Sequence, residues 1–262
     1  VTNNLALTEL AAHLFAQRNI TNPHSHFASV VPQSIDDAIQ VQQLMASLNG
    51  SVAGWKCLVP QANGQLIVAP ILADAVMGSA DCGIIASMKD QQAMALIEPE
   101  IAFILGQDIE PHRQYSNSDV DQAISSTHMA LELIQNRFNK DDQPSFYQKL
   151  ADGLSNQGVY IGPEIDKSVA YSASHINVSV IENDNIDMAQ RFAGEQPCQL
   201  PQSPLYWLIN YLSGLGVTLK AGQAIITGSY CGVVKVPLGQ KITIEYQDIG
   251  QFDVTFFDGL SQ

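Results

Sequence analysis

Apolar positions recur at a helical interval over the first fifty residues and in short, broken runs after them. Leu7, Leu10, Ala11 and Leu14 share one face of a helix over residues 5–17, because residues three and four apart stack on one side of a 3.6-residue spiral. Ser34-Ile35-Asp36-Asp37 sets an acid three residues after a serine, close to a capping box. Ile35, Ala38, Ile39, Gln42, Met45 and Leu48 continue it as the stripe of a second helix, ending at Asn49-Gly50. From residue 52 the apolar runs shorten and Gly, Pro and Asn break them, as in strands and turns. The pattern predicts strands over 52–59, 65–71, 84–88 and 97–105, then a helix over 118–128 begun by Ser118 and Asp121 and a strand over 130–134. A short helix over 144–150 and a loop over 151–158 come next. Residues 175–182 and 186–192 read as a hairpin about Asn183-Asp184-Asn185. Ser203-Pro204 opens a helix with stripe Leu205, Leu208, Tyr211, Leu212 and Leu215, and Gly216 ends it. Residues 224–229 form a strand running into a small-residue turn, and strands over 241–246 and 252–257 follow. This is an α+β chain, with a helical N-terminal segment (1–50) and a β-rich body (51–262).

Length and charge narrow the function. The 262 residues suffice for a substantial core. Lys+Arg 12 against Asp+Glu 26 gives a formal charge of −14, which repels nucleic acid and anionic membranes. An anionic substrate would then need a local cation. Cys57, Cys82, Cys198 and Cys231 form no CxxC pair, so neither a zinc site nor a disulfide scaffold is indicated. No apolar stretch approaches the roughly 20 residues of a membrane helix and no signal-like segment is evident, so a cytoplasmic enzyme is expected.

The strand over 97–105 carries the chemistry. In extended backbone Glu98 and Glu100 point the same way, with Pro99 between them on the other side. Two desolvated like charges require a cation or a retained proton, and an all-oxygen site suits a hard divalent ion; a solvated edge strand blunted by Pro99 is the bland alternative. Glu132, in the apolar run Ala130-Leu131-Glu132-Leu133-Ile134, likewise needs a cation or donor, and either Arg137 or His128 can serve. Lys56 can offset these carboxylates or polarise a substrate oxygen. Thr227-Gly228-Ser229 can turn N–H groups and hydroxyls toward an anion. His24 and His26 are weaker ligand candidates.

In order, these features resemble the 2-keto-4-pentenoate hydratase branch of the fumarylacetoacetate hydrolase family. The resemblance rests on Ser34 to Gln42, Gly54-Trp55-Lys56, Glu98 to Gly106, Ala130 to Ile134 with Arg137, Ala151-Asp152 with Ser155, and Ile226-Thr227-Gly228-Ser229. It implies a mixed, barrel-like sheet and a Mg2+ or Mn2+ ion held by Glu98, Glu100 and Glu132. It also implies catalytic roles for Lys56, Asp74, Asp152 and Ser155, with Thr227, Gly228 and Ser229 holding the substrate carboxylate. The implied reaction adds water to a 2-hydroxy-2,4-dienoate to give a 4-hydroxy-2-oxo acid, with a carboxylate or Lys56 as base, in aromatic-compound degradation. The 4-oxalocrotonate decarboxylases share these motifs, and acylpyruvate hydrolysis or a non-catalytic partner subunit are further alternatives. Relatives are generally homo-oligomers, and a decarboxylase partner is conceivable. Cys57-Leu58-Val59-Pro60, Gln135 and Gly153-Leu154 depart from the family pattern, which leaves substrate identity open.

Overall fold

A computed structural model describes residues 4–20, 31–72, 76–89, 92–138 and 143–259. Helices α1 (Asn4–Gln17) and α2 (Ile35–Asn49) come first. The Ser34 hydroxyl accepts from the Asp37 N–H to open α2, and Gly50, at φ 87°, closes it. Short strands β1 (Val52–Cys57), β2 (Val68–Leu72), β3 (Val76–Met77), β4 (Asp81–Ile84) and β5 (Ser87–Lys89) lead into the long β6 (Gln92–Leu105). Then come α3 (Asn117–Ala123), β7 (Ile124–Ile134), α4 (Phe146–Ala151), β8 (Asn156–Ile165) and α5 (Lys167–Ser172). The chain finishes with β9 (His175–Glu182), β10 (Gln190–Glu195), α6 (Ser203–Gly214), β11 (Ala224–Ile226), β12 (Val234–Pro237), β13 (Lys241–Tyr246) and β14 (Gly250–Asp258). The fold is α+β, with two mixed sheets.

The larger sheet runs β2-β1-β11-β6-β7-β8-β3. Along one edge of β6, β11 pairs with Ala102 to Ile104 and β12 with Met94 to Ile97. Residues 98–101 therefore have no strand partner on that side. The connection from β11 to β12 loops out opposite them, held by a Tyr230 N–H to Pro99 carbonyl bond of 3.0 Å. On the other edge β7 pairs along the length of β6 and sets Glu98 directly across from Glu132. Parallel β1 lies next to β11 with Lys56 opposite Ile226. Gly54 is needed there, because a Cβ would strike the Ala224 carbonyl.

The second sheet, β10-β9-β13-β14-β4, buries Ile176, Val178, Val180, Ile242, Ile244 and Val254, as alternation of inward residues requires. Its Tyr246 hydroxyl lies 2.9 Å from the Glu100 carbonyl and 3.0 Å from that of Ala130, so the two sheets are tied beneath the acidic residues. A separate core joins α1 and α2 to Phe138, Leu150 and Ala151. Among the described residues no helix is long and apolar enough to cross a membrane.

Several expectations are corrected. The helix over 118–128 stops at Ala123, capped by Ser116 and Asp119 rather than Ser118 and Asp121. From Ile124 the chain is drawn into strand pairing between β6 and β8, which outweighs local helical period. The loop over 151–158 ends at Ser155, because Asn156 starts β8. Residues 186–188 make a 3-10 turn with Ile186 and Met188 exposed, and the hairpin's second strand begins at Gln190. Leu48 and Leu215 are exposed at the ends of their stripes. Gln42 is buried instead, its amide donating to the carbonyls of Val68 and Leu150 at 2.9 and 2.6 Å.

Candidate functional site

The register of β6 and β7 brings three carboxylates to one face of the sheet. One oxygen from each of Glu98, Glu100 and Glu132 falls within a 4.8 Å cluster. Glu100 and Glu132 are 2% and 1% exposed, whereas Glu98 is half-buried at the rim. Burial first, then the Glu132 charge, pushes the Glu98 carboxyl up to about 7. Burial together with Glu132 and Glu98 holds Glu100 well above the usual carboxylate range. Without a cation the cluster resists full ionisation.

Protein donors offset part of this charge. Lys56 Nζ lies 2.6 Å from Glu132 Oε1. Burial disfavours the ammonium, but attraction from Glu132, Glu98 and Glu100 outweighs it and raises the lysine above its ordinary value. Neither Arg137 nor His128 pairs with Glu132. His128 engages Gly162 and Ser126, and Arg137 is spent elsewhere.

Asn156 supplies the second donor to Glu132, its amide nitrogen 2.8 Å from Oε1. This residue did not stand out in the sequence. Its signal was its adjacency to the small, polar turn before a strand. Arg137, fully buried, donates to Asp152 Oδ1 at 2.8 Å, to Gln135 Oε1 at 3.0 Å, and to the carbonyls of Asp152 and Asn156 at 3.0 and 2.9 Å. Asp152 is thus the counter-ion of Arg137, and it braces the turn that presents Asn156. Ser155, at φ 65°, sits in that turn with its carbonyl accepting from the Gln135 N–H.

The loop opposite β6 closes the site. The Gly228 N–H donates to Glu100 Oε2 at 2.7 Å. The Ser229 hydroxyl makes only long contacts, 3.4 Å to the Pro99 carbonyl and 3.3 Å to that of Gly232, and its oxygen accepts from the Cys231 N–H at 3.4 Å. A cavity of about 270 Å³ is lined by Lys56, Glu98, Glu100, Glu132, Gly228, Ser229 and Gly232, with Leu58, Ile67 and Pro197 as its apolar side. Thr227 is fully buried, its hydroxyl unpartnered, and it is absent from that wall. Asp74, His24 and His26 lie outside the described residues.

Gly228 has no tolerable substitute. Its φ is +112°, and a Cβ would come within 2.5 Å of Leu58 Cδ2 and 2.7 Å of Pro197 Cγ. Gly228→Ala is expected to cost about 1–3 kcal/mol and to pull the amide off Glu100. Thermal denaturation should register the first effect and a magnesium titration the second.

Fold and site define an α+β protein with a cluster of three carboxylates, two of them buried, at an interruption in its main sheet. No family model matches the chain. In sequence it is 27% identical over 172 residues to 2-oxo-hept-4-ene-1,7-dioate hydratase of Escherichia coli, spanning 64% of this chain and 63% of that protein. It is also 27% identical over 163 residues to 2-keto-4-pentenoate hydratase of Paraburkholderia xenovorans, spanning 61% and 58%. The chain thus matches less than two thirds of the length of these curated relatives. In structure it superposes on 4-oxalocrotonate decarboxylase from Pseudomonas putida G7, complexed with magnesium and adipate, with TM-score 0.77 and 18% identity over 98% and 99% of the two chains. A Yersinia pestis protein provisionally assigned to the fumarylacetoacetate hydrolase family aligns at TM-score 0.53 and 22% identity over 78% and 91%. The chain resembles the 2-keto-4-pentenoate hydratase and 4-oxalocrotonate decarboxylase branch of that family, as its motifs implied.

Proposed function

We propose that the chain is a divalent-metal-dependent hydratase that converts a 2-hydroxy-2,4-dienoate into a 4-hydroxy-2-oxo acid. The supporting observation is the convergence of Glu98, Glu100 and Glu132 on one cavity wall with Lys56 as the counter-charge. These residues suit a hard dication. Their donors are all oxygen, and three carboxylates against one ammonium leave a deficit that two positive charges would balance. Glu98, Glu100 and Glu132 would hold Mg2+ or Mn2+; the decarboxylase neighbour is known with magnesium and with calcium. Such an ion, when bound, supplies Lewis-acid polarisation of the substrate's 2-oxo oxygen.

The chain's own groups do the rest. Lys56 pairs with Glu132 at 2.6 Å and places a positive charge at the cavity wall. Gly228 fixes Glu100 through its N–H, so that carboxylate does not rotate as substrate arrives. The weakly held Ser229 hydroxyl is free to turn and donate to a substrate carboxylate. Leu58, Ile67 and Pro197 give the cavity an apolar side next to these charges. Asp152 acts through Arg137 and the Asn156 turn.

The full-length superposition on a decarboxylase supports a second reading, loss of carbon dioxide from a 2-oxo-3-enoate diacid. Product analysis with 2-hydroxypenta-2,4-dienoate and with 2-oxohex-3-enedioate, each with Mg2+ and with chelator, separates the two. Metal-dependent 4-hydroxy-2-oxopentanoate from the first is the expected result. Carbon dioxide from the second alone would replace hydration by decarboxylation.

A further inference from the structure

Resting on the hydratase reading, we infer that the substrate carries one carboxylate and an uncharged tail, and that Leu58, Ile67 and Pro197 set this specificity. The cavity divides into two chemistries. One side bears Glu98, Glu100, Glu132 and Lys56 beside the Gly228-Ser229 turn; the other bears Leu58, Ile67 and Pro197. Leu58 and Ile67 are fixed by a 2.9 Å bond from the Leu58 N–H to the Ile67 carbonyl. Leu58 and Pro197 also pack around the Cα of Gly228, so this apolar side directly adjoins the anion-holding turn.

Charge limits what can enter. Among the described residues lining the cavity Lys56 is the one cation, and Glu132 already occupies it at 2.6 Å. A dication and Lys56 together balance the three glutamates. One substrate carboxylate can then be met by the ion and the Ser229 hydroxyl. A second would lie among three carboxylates or against the apolar side chains of Leu58, Ile67 and Pro197, with no further cation among the described lining residues to meet it. The superposed decarboxylase, by contrast, is known with adipate, a dicarboxylate.

The test is calorimetric binding, in saturating Mg2+, of the unreactive monoacids 2-oxopentanoate and 2-oxohexanoate against the diacid 2-oxohexanedioate, repeated with Leu58→Arg and Ile67→Lys. The monoacids should bind at least about 30-fold more tightly than the diacid, as expected for a charge set among three carboxylates and apolar side chains without a counter-ion. Either variant, checked for folding by circular dichroism, should narrow that gap by about tenfold or more; having two variants covers loss of one to misfolding. Equal or tighter binding of the diacid by the unaltered protein would overturn the inference. Binding in the expected order without hydration of any dienoate would sink the hydratase reading and leave the ligand class standing. Failure of every 2-oxo acid to bind would remove both.

Discussion

Glu100→Gln is expected to lower kcat/KM for a dienoate by more than about 10³-fold while making the metal-free protein more stable. Glutamine keeps an amide oxygen where Glu100 Oε2 accepts the Gly228 N–H, so the loop retains its anchor. What it removes is one of three mutually repelling carboxylates in a nearly dry site. Burial and the neighbouring acids already push Glu100 toward its protonated form, and a neutral amide removes that cost permanently. Magnesium affinity falls with the charge, whereas the melting temperature of the metal-free protein rises. Calorimetric titration and differential scanning calorimetry read the two effects separately. A variant that lost activity but kept its magnesium affinity would show that the ion is held elsewhere.

Arg137→Ala should destabilise the fold by about 3–5 kcal/mol, the usual cost of leaving one member of a buried ion pair unpaired. The guanidinium is fully buried and serves Asp152 Oδ1, Gln135 Oε1 and two carbonyls. Removal strands all four acceptors. The loss should also reach the metal, because the turn that Arg137 braces presents Asn156 to Glu132. Urea denaturation gives the stability term, and a loss below about 1 kcal/mol would mean that water replaces the side chain.

Much of this site was legible because an acid set in an apolar run is costly wherever the chain places it. Glu98, Glu100 and Glu132 announced themselves by that conflict, and strand period put the first two on one face. Their partners were less legible. Arg137 and His128 were both possible mates of Glu132, yet His128 engages Ser126 and Gly162, and Arg137 turns to Asp152 across a helix and a turn that sequence spacing does not encode. Asn156 escaped notice because an amide in a polar, glycine-rich stretch looks like loop. The same texture hid β8, where Gly158, Gly162 and Pro163 punctuate a segment that pairing with β7 nonetheless holds extended. The switch from α3 to β7 was expected in kind but not in place, since Ile124 and Thr127, three apart, fit a helical stripe that pairing with the neighbouring strands overrides.

The interruption along β6 has a thermodynamic consequence. Lys56, Glu98, Glu100, Glu132 and Gly228 come from strands and a loop scattered over more than half the chain, and they meet only when the whole sheet is assembled. A partly unfolded chain offers a cation no comparable site, so binding of the proposed ion would add directly to folding stability, about 2.7 kcal/mol at a free ion concentration of 100 times the dissociation constant. With the proposed ion, heat resistance is expected to rise with free divalent-ion concentration, and the metal-free protein to be cut first by a protease.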